Sequence, residues 1–197
     1  FGPRPYNSDA NLLTLAYLEQ VVKEARALGI ALGKDDGWIE ISPADTVNLN
    51  VNLAYFQSSN LVVRIKGSSK TREALLVSAH YDSSPLSYGV TDDGIGIVAM
   101  LDILRALAHG STLDHDVILN FNNGEEMTLY GGYALLQHPW FQDIKAFINL
   151  EGTGTAGKTR SLLFRTNSYD LADVFAKSAP YPHASVLADD LMGIVGR

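Results

Sequence analysis

The sequence predicts an α/β fold with a mixed, mostly parallel central sheet and helices on both faces. Three short apolar runs, 74–79, 116–121 and 146–150, have the length and near-continuous hydrophobicity of strands that are buried on both faces. Helical patterns over 95–108 and 130–138 separate these runs. Strands that alternate with helices form parallel sheets, because each helix carries the chain back to the edge where the next strand begins.

The residues before this alternation predict one long helix and three further strands. Asn7-Ser8-Asp9 offers side chains that favour a helix N-cap, apolar residues then recur at spacings of three and four, and Gly29 is predicted to end the helix. The predicted strands are 38–41, 47–56 and 61–65.

The C-terminal part continues the same pattern. Residues 161–166 are predicted to form another strand and residues 171–178 a last helix. The alternation does not close before the last residue, so we expect a fold that is incomplete at its C-terminus. We predict a single domain over 1–197, in which the helix and strands of 1–70 support an α/β core over 71–197.

Composition excludes several classes of function. The 197 residues are 46% hydrophobic and 19% charged, with a formal net charge of -7, and no basic run occurs. An acidic chain of this kind predicts no nucleic-acid partner. Cysteine is absent, so disulfides and thiolate metal sites are excluded and any metal must bind to His, Asp or Glu. No apolar run reaches the roughly 20 residues that a membrane-spanning helix needs.

Acidic residues and one histidine concentrate in four short stretches. Three of these stretches closely follow a predicted buried strand, and the fourth opens the helix that follows the first; they are Ala79-His80-Tyr81-Asp82-Ser83, Thr91-Asp92-Asp93-Gly94, Asn123-Gly124-Glu125-Glu126 and Asn149-Leu150-Glu151-Gly152. Because the carboxyl ends of parallel strands share one edge of a sheet, we expect these side chains to converge there.

Clustered carboxylates repel one another, and no Lys or Arg lies within these four stretches to offset their charge. A divalent cation is therefore the expected counter-charge, and nitrogen and oxygen ligands without sulfur suit Zn²⁺, Mn²⁺ or Co²⁺. Adjacent Glu125 and Glu126 point in different directions, so one can bind metal while the other acts as general base on a metal-bound water. The spacing of Asp82 from His80 suits a carboxylate that orients the imidazole.

These four stretches, in this order and at this spacing, resemble the metal-binding motifs of metallopeptidase family 28, which contains two-zinc aminopeptidases and glutamate carboxypeptidase. The resemblance is closest to the vacuolar membrane proteases of fungi, whose lumenal domain has a stretch like Pro5-Tyr6-Asn7-Ser8, a lead like Ser87-Tyr88-Gly89 and a stretch like Leu163-Phe164-Arg165. It implies a zinc aminopeptidase-like fold, a peptide substrate, a location on the lumenal side of the vacuolar membrane, and a parent protein that is anchored in that membrane by a further segment.

The resemblance also assigns roles in a site that holds two Zn²⁺ ions. His80 and Glu151 would bind the first zinc, Asp92 would bridge both, Glu126 would bind the second, and Glu125 would be the general base beside the orienting Asp82. This chain departs from the family's usual pattern in having Glu at 151, where most members have Asp.

A second departure is that the final histidine ligand of the family lies downstream of Glu151 in a segment without a match here; the remaining histidine in that part is His183. Two alternatives to a peptidase therefore stay open: a non-catalytic relative that keeps the fold as a binding or structural module, and a single-zinc acyl transferase like glutaminyl cyclase.

A nucleotide hydrolase is a further alternative. Residues 152–159 read GTGTAGKT and fit the phosphate-loop pattern G-x-x-x-x-G-K-[ST]. That pattern needs a helix beginning at Lys158-Thr159, whereas the residues that follow predict a strand. We therefore interpret the segment as a glycine-rich loop beside Glu151.

Overall fold

The structure is a computed structural model that describes residues 2–42, 48–51, 54–57, 59–152 and 168–182. In chain order its elements are α1 (Asp9–Ala31), β1 (Ile39–Ser42), β2 (Asn48–Val51), β3 (Ala54–Gln57), β4 (Leu61–Ile65), β5 (Ala74–His80), α2 (Ile95–His109), β6 (Asp116–Asn122), α3 (Tyr130–Leu136), β7 (Ile144–Asn149) and α4 (Tyr169–Ser178). The predicted strand over 161–166, most of the glycine-rich segment 152–159 and His183 lie outside the described residues.

A five-stranded mixed sheet forms the centre of the fold, in the order β1-β4-β6-β5-β7. Strand β5 pairs in parallel with β6 on one side and with β7 on the other. Beyond β6, β4 pairs with β6 in the antiparallel direction, and β1 in turn pairs antiparallel with β4. The predicted mixed α/β class is confirmed, with the parallel pairings in the part of the chain that follows residue 74.

Helices cover both faces of the sheet. On one face, α1 and α2 bury apolar side chains such as Leu18, Val22, Met100 and Leu104 against the sheet. On the other face, Leu135 of α3 packs in a smaller cluster with four sheet residues, Val62, Ala74, Leu76 and Ile118. Because α1 and α2 share one apolar core, residues 1–70 and the α/β core are packed together without a break at residue 70.

The chain divides after Gly152. The residues described before this point form one compact unit, and α4 belongs to a second unit. Helix α4 matches the predicted last helix and begins at a cap in which the Ser168 side chain accepts a hydrogen bond from the backbone N–H of Leu171. Among the described residues, no helix is long and apolar enough to cross a membrane.

Three details of the sequence-based prediction were wrong. Helix α1 continues past Gly29 to Ala31, and Gly29 packs against the Trp38 ring, which lies 2.4 Å from where a Cβ at that position would stand. The predicted strand 47–56 is two antiparallel strands, β2 and β3, which form a separate small sheet. Strand β7 is largely exposed rather than buried on both faces, because it is the last strand of the described sheet.

Candidate metal centre

The parallel strands bring the acidic stretches to one edge of the sheet. His80 is the last residue of β5, Glu125 follows β6, and Glu151 follows β7, and these three strands are neighbours in the order β6-β5-β7. Asp92 lies in the turn Val90–Gly94 that leads from β5 into α2. The sequence motifs therefore meet because the topology places three strand ends side by side.

Three of the predicted metal ligands come together at this edge. The Nε2 atom of His80 lies 2.9 Å from Asp92 Oδ1 and 3.4 Å from Glu151 Oε1. One ligand atom from each of the three residues lies within 4.8 Å of the other two. Around a tetrahedral zinc with bonds of about 2.0–2.1 Å, ligand atoms lie about 3.3 Å apart. The spacing and the nitrogen and oxygen chemistry of this group therefore fit a zinc ion.

Asp82 fixes the imidazole in the orientation that a metal ligand needs. The Nδ1 atom of His80 donates to the backbone carbonyl of Asp82 at 3.0 Å and lies 3.5 Å from its carboxylate. Because a carbonyl oxygen only accepts, Nδ1 carries a proton, and Nε2 is the nitrogen that faces the acidic group and would bind a metal in place of its own proton. The fully buried carboxylate of Asp82 also accepts hydrogen bonds from the backbone N–H groups of Glu125 and Glu126, both at 3.2 Å.

The pKa values report the concentration of negative charge at this edge. Burial lowers the pKa of His80, but the hydrogen bonds and charges of Asp82 and Glu151 outweigh it and raise the pKa to about 11. Burial raises the pKa of Glu151, and the hydrogen bond and charge of His80 overcome this and leave it below its ordinary value. The same field that draws a proton toward Nε2 attracts a metal cation.

Glu125 and Glu126 are placed differently relative to the three-ligand group. The carboxylate of Glu125 lies 3.8 Å from His80 Nε2, and burial, together with the charge of Glu151, raises its pKa. A raised pKa suits a group that must accept and release a proton near neutral pH. The carboxylate of Glu126 stands outside the three-ligand group and accepts a hydrogen bond from the Ser84 backbone N–H at 2.8 Å.

Asp93 caps α2 and ties that helix to β5. Its carboxylate is fully buried and accepts hydrogen bonds from the backbone N–H of His80 at 3.1 Å and of Gly96 at 3.2 Å. Burial, with the nearby charge of Glu151, raises its pKa to about 7. A side chain at Gly96 would collide with this carboxylate, because an added Cβ would stand 2.4 Å from Asp93 Oδ1.

A cavity of about 560 Å³ opens beside the three-ligand group and is bordered by His80, Glu125 and Glu151. Its walls are mainly apolar and come from α3, β7 and the turns next to them, through Leu129, Tyr133, Leu136, Phe141 and Phe147. An apolar cavity next to converging polar groups has the usual character of a small-ligand or substrate site.

The model of peptidase family M28 matches residues 60–193, which include all four acidic stretches. The chain belongs to peptidase family M28. Two relatives are each named vacuolar membrane protease: the protein of Candida albicans strain SC5314 is 40% identical over 183 residues, and that of Clavispora lusitaniae is 43% identical over 185 residues. These alignments cover 93% and 92% of this chain but only 20% and 18% of the relatives, so the chain spans about a fifth of their length.

Solved structures share the fold of this M28 chain. Legionella pneumophila LapA has a TM-score of 0.70 at 20% identity over 92% of this chain and 50% of LapA. The zinc aminopeptidase of Bacillus subtilis has a TM-score of 0.54 at 23% identity over 67% and 36% of the two chains. Glutaminyl cyclase of Porphyromonas gingivalis has a TM-score of 0.56 at 17% identity over 90% and 61%. The zinc aminopeptidase-like fold predicted from the motifs is confirmed.

Sequence reasoning did not find the residues that support the site of this M28 chain from a distance. The principal ones are Arg4, ahead of α1, and the pair formed by Asn11 and Asn123. The sequence offers one signal for Arg4, an isolated cation between Pro3 and Pro5 just before the helix cap.

Proposed function

We propose that this M28 chain carries the catalytic site of a zinc-dependent exopeptidase that removes residues from the amino terminus of peptides. The observation that carries the proposal is the convergence of His80, Asp92 and Glu151 on a space of metal-ligand size, with Glu125 beside them. Membership of a peptidase family supports the reaction class. A bound zinc would polarise a peptide carbonyl and lower the pKa of water.

His80, Glu125 and Asp82 have different proposed roles in this reaction. The Nδ1 atom of His80 is committed to the Asp82 carbonyl, so Nε2 is the nitrogen that would bind the metal in place of its proton. Glu125 accepts the proton of the attacking water and returns it to the leaving amine, a role that its raised pKa and its position 3.8 Å from His80 Nε2 support. Asp82 holds the backbone of Glu125 and Glu126, and so keeps the base and the ligands in register.

The proposal of two zinc ions rests on Glu126 as a ligand of the second ion. Its carboxylate accepts a hydrogen bond from the Ser84 backbone N–H at 2.8 Å and lies outside the three-ligand group. The resemblance also expects a final histidine ligand downstream of Glu151. The described residues of that part, 168–182, contain no histidine, and His183 lies outside the described residues. Elemental analysis of the purified protein gives the stoichiometry: two zinc ions per chain support the two-metal site, and Glu126→Gln would then retain one.

The decisive experiment separates proton transfer from metal binding. Glu125→Gln keeps the shape of the side chain and removes its basicity, so we expect hydrolysis of aminoacyl chromogenic substrates to fall by at least about 10²-fold while bound zinc stays at the wild-type level. Loss of zinc in this variant would mean that Glu125 is a ligand instead. Retention of full activity would reject Glu125 as the general base.

A second candidate is a single-zinc acyl transferase of the glutaminyl cyclase type. The specific observation in its favour is that the described residues assemble one three-ligand group, with Glu126 apart from it. The fold similarity to a glutaminyl cyclase is consistent with either reaction. One metal per chain and ammonia release from peptides with amino-terminal glutamine would support the transferase, and their absence would leave the peptidase.

We also propose that the parent protein resides on the lumenal side of the vacuolar membrane, anchored by a segment beyond the matched part. The names of the fungal relatives support this location. Fluorescent tagging of the parent protein and co-localisation with a vacuolar membrane marker test it, and a cytosolic signal would reject it.

A further inference from the structure

Arg4 is a buried cation that holds the loop between β5 and the turn that carries Asp92. Only 8% of its surface is exposed. Its guanidinium donates three hydrogen bonds to backbone carbonyls of that loop: Nε to Tyr81 at 3.0 Å, Nη1 to Tyr88 at 2.7 Å and Nη2 to Gly89 at 3.0 Å. A planar group with five donors can bridge three carbonyls at fixed angles, which the point charge of lysine cannot do.

The backbone of Arg4 is joined to the same loop. Its N–H donates to Ser83 Oγ at 2.8 Å, and its carbonyl accepts from the Ser83 N–H at 3.1 Å. The loop winds closely around the guanidinium: Gly89 has φ +55°, and a Cβ there would stand 2.8 Å from the Asp92 carbonyl and 3.0 Å from Arg4 Nη2. The position of Asp92, three residues after Gly89, therefore depends on the contacts made by Arg4.

A second contact from the same N-terminal segment reaches the acidic stretch Asn123-Gly124-Glu125-Glu126. The side-chain amides of Asn11 and Asn123 form a reciprocal pair, with N–O distances of 2.9 and 3.0 Å, and both residues are almost fully buried. Asn11 also donates to the Arg4 carbonyl at 3.3 Å. Asn123 immediately precedes Gly124-Glu125-Glu126, so the pair fixes the start of the loop that carries the proposed base.

We propose that the N-terminal segment Arg4–Asn11 positions the metal centre, with Arg4 holding the Asp92 side and Asn11 holding the Glu125 side. This segment lies outside residues 60–193, the part of the chain that the M28 family model matches. The inference rests on the proposed function of the site, and it assigns to Arg4 and Asn11 no contact with substrate or metal. They act by fixing the geometry of residues that do.

Cobalt titration tests the Arg4 contact without using activity, because the visible spectrum of Co²⁺ reports both affinity and ligand geometry. The variants are Arg4→Ala and Arg4→Lys, and Arg105→Ala is the matched control, since the Arg105 side chain is 72% exposed and pairs with Asp102 at 3.9 Å within α2. We expect about a 10–100-fold loss of Co²⁺ affinity and an altered spectrum for Arg4→Ala, about a tenfold loss for Arg4→Lys, and no change for Arg105→Ala.

Two results would overturn the proposal: wild-type Co²⁺ affinity and spectrum in both Arg4 variants, or an equal loss in Arg105→Ala. Failure of the proposed function looks different, because the wild-type chain itself would then bind no Co²⁺. Circular dichroism establishes that each variant is folded, and Arg4→Lys, which keeps the charge and the aliphatic stem, carries the test if Arg4→Ala does not fold.

Chemical rescue distinguishes a positioning cation from general loss of packing. Millimolar guanidinium chloride, far below denaturing concentrations, offers Arg4→Ala the missing planar donor group. We expect it to restore part of the Co²⁺ affinity in Arg4→Ala and to leave Arg105→Ala unchanged. For the Asn11 half of the segment, Asn11→Ala and Asn123→Ala should each weaken Co²⁺ binding. The double variant should bind Co²⁺ no more weakly than the more affected single variant, because both substitutions break the same pair. Additive losses would show that the two amides act independently and would contradict the proposed role of the pair.

Discussion

Two adjacent glycines at the start of α3 give opposite predictions for the same substitution. At Gly131 an added Cβ would stand 1.8 Å from Asn122 Oδ1 and 2.2 Å from the Asn123 carbonyl, whereas at Gly132 it would meet nothing within 4 Å. Real Cβ atoms essentially never lie within 3.0 Å of such a neighbouring heavy atom. Alanine at Gly131 must therefore push α3 away from the end of β6, while alanine at Gly132 fits without movement.

The magnitudes follow from these contacts. Overpacking at Gly131 should cost about 1–3 kcal/mol. Gly132→Ala should stabilise the fold by about 0.5–1 kcal/mol, because alanine loses less backbone entropy than glycine in a helix. The two variants should thus differ by about 1.5–4 kcal/mol, or roughly 0.8–2 M in urea midpoint for a slope of about 2 kcal/mol/M.

Urea unfolding of the two variants, followed by circular dichroism, measures this difference directly. We also expect Gly131→Ala to weaken metal binding, because the displaced Asn123 precedes Glu125 and Glu126, whereas Gly132→Ala should bind metal normally. Equal midpoints for the two variants, or a Gly131→Ala variant more stable than wild type, would refute the packing of α3 against the end of β6.

Four further predictions concern positioning, a buried ion pair, pH and metal. Each carboxylate oxygen of Asp82 accepts from one backbone N–H, and Asp82→Asn replaces one of these two acceptors by an NH₂ donor. We expect about a 10–100-fold loss of zinc affinity in calorimetric titration, and unchanged affinity would remove Asp82 from the site. Arg64 is fully buried between Asp116 and Asp143, each 2.6 Å away, so Arg64→Met should cost about 3–5 kcal/mol in urea unfolding, and a loss below 1 kcal/mol would contradict this. The hydrogen bond from Arg64 is the main cause that lowers the pKa of Asp143. The charged carboxylate therefore stabilises the fold above its unfolded-state pKa, and this contribution is lost as pH falls through the lower folded-state pKa. Wild type should lose more stability below about pH 4 than Asp143→Asn does, and parallel acid profiles of the two proteins would count against the pairing. Zinc at 100 times its Kd should raise the free energy of unfolding by about 2.7 kcal/mol, and chelation should reverse this in a thermal melt; a melting temperature that chelator does not change would argue against zinc binding by the folded chain.

The parallel part of the fold was predictable because a strand that is buried on both faces is apolar along nearly its whole length, and this run is visible in the sequence. The runs that become β5 and β6 are apolar along their whole length, and both strands are buried in the structure. Each is followed at once by polar residues of a motif, so the strand ends and the candidate ligands were placed together. The parallel pairing of β5 and β7 then places His80 Nε2 3.4 Å from Glu151 Oε1.

Other features depend on distant neighbours that no local pattern records. The run that becomes β7 is as apolar as its partners, but its exposure follows from its place at the end of the described sheet. The alternation over 47–56 continues through two strands without a Gly or Pro to mark a reversal. Gly29 resembles a helix stop in sequence, but it is a packing position, because the Trp38 ring occupies the space beside it.

The contacts that position the candidate site could not be predicted from the sequence for a similar reason. Arg4 acts on backbone carbonyls more than 75 residues away, and backbone acceptors have no sequence signature. The Asn11–Asn123 pair joins residues 112 apart, and a single asparagine in a helix is not distinctive. Motif order can thus predict which residues converge, whereas the contacts that hold them in position become visible only in the folded chain.

The central claim is that His80, Asp92 and Glu151 bind one metal ion together, and calorimetric titration of the chelator-treated chain with Zn²⁺ tests it most directly. We expect the wild-type chain to bind zinc, and Asp92→Asn and Glu151→Gln each to weaken binding by at least about tenfold, because each removes a charged ligand. As a control, Asp102→Asn, on the exposed surface of α2, should bind as wild type does. Zinc binding that is absent in wild type, or equally strong in both ligand variants, would contradict the claim.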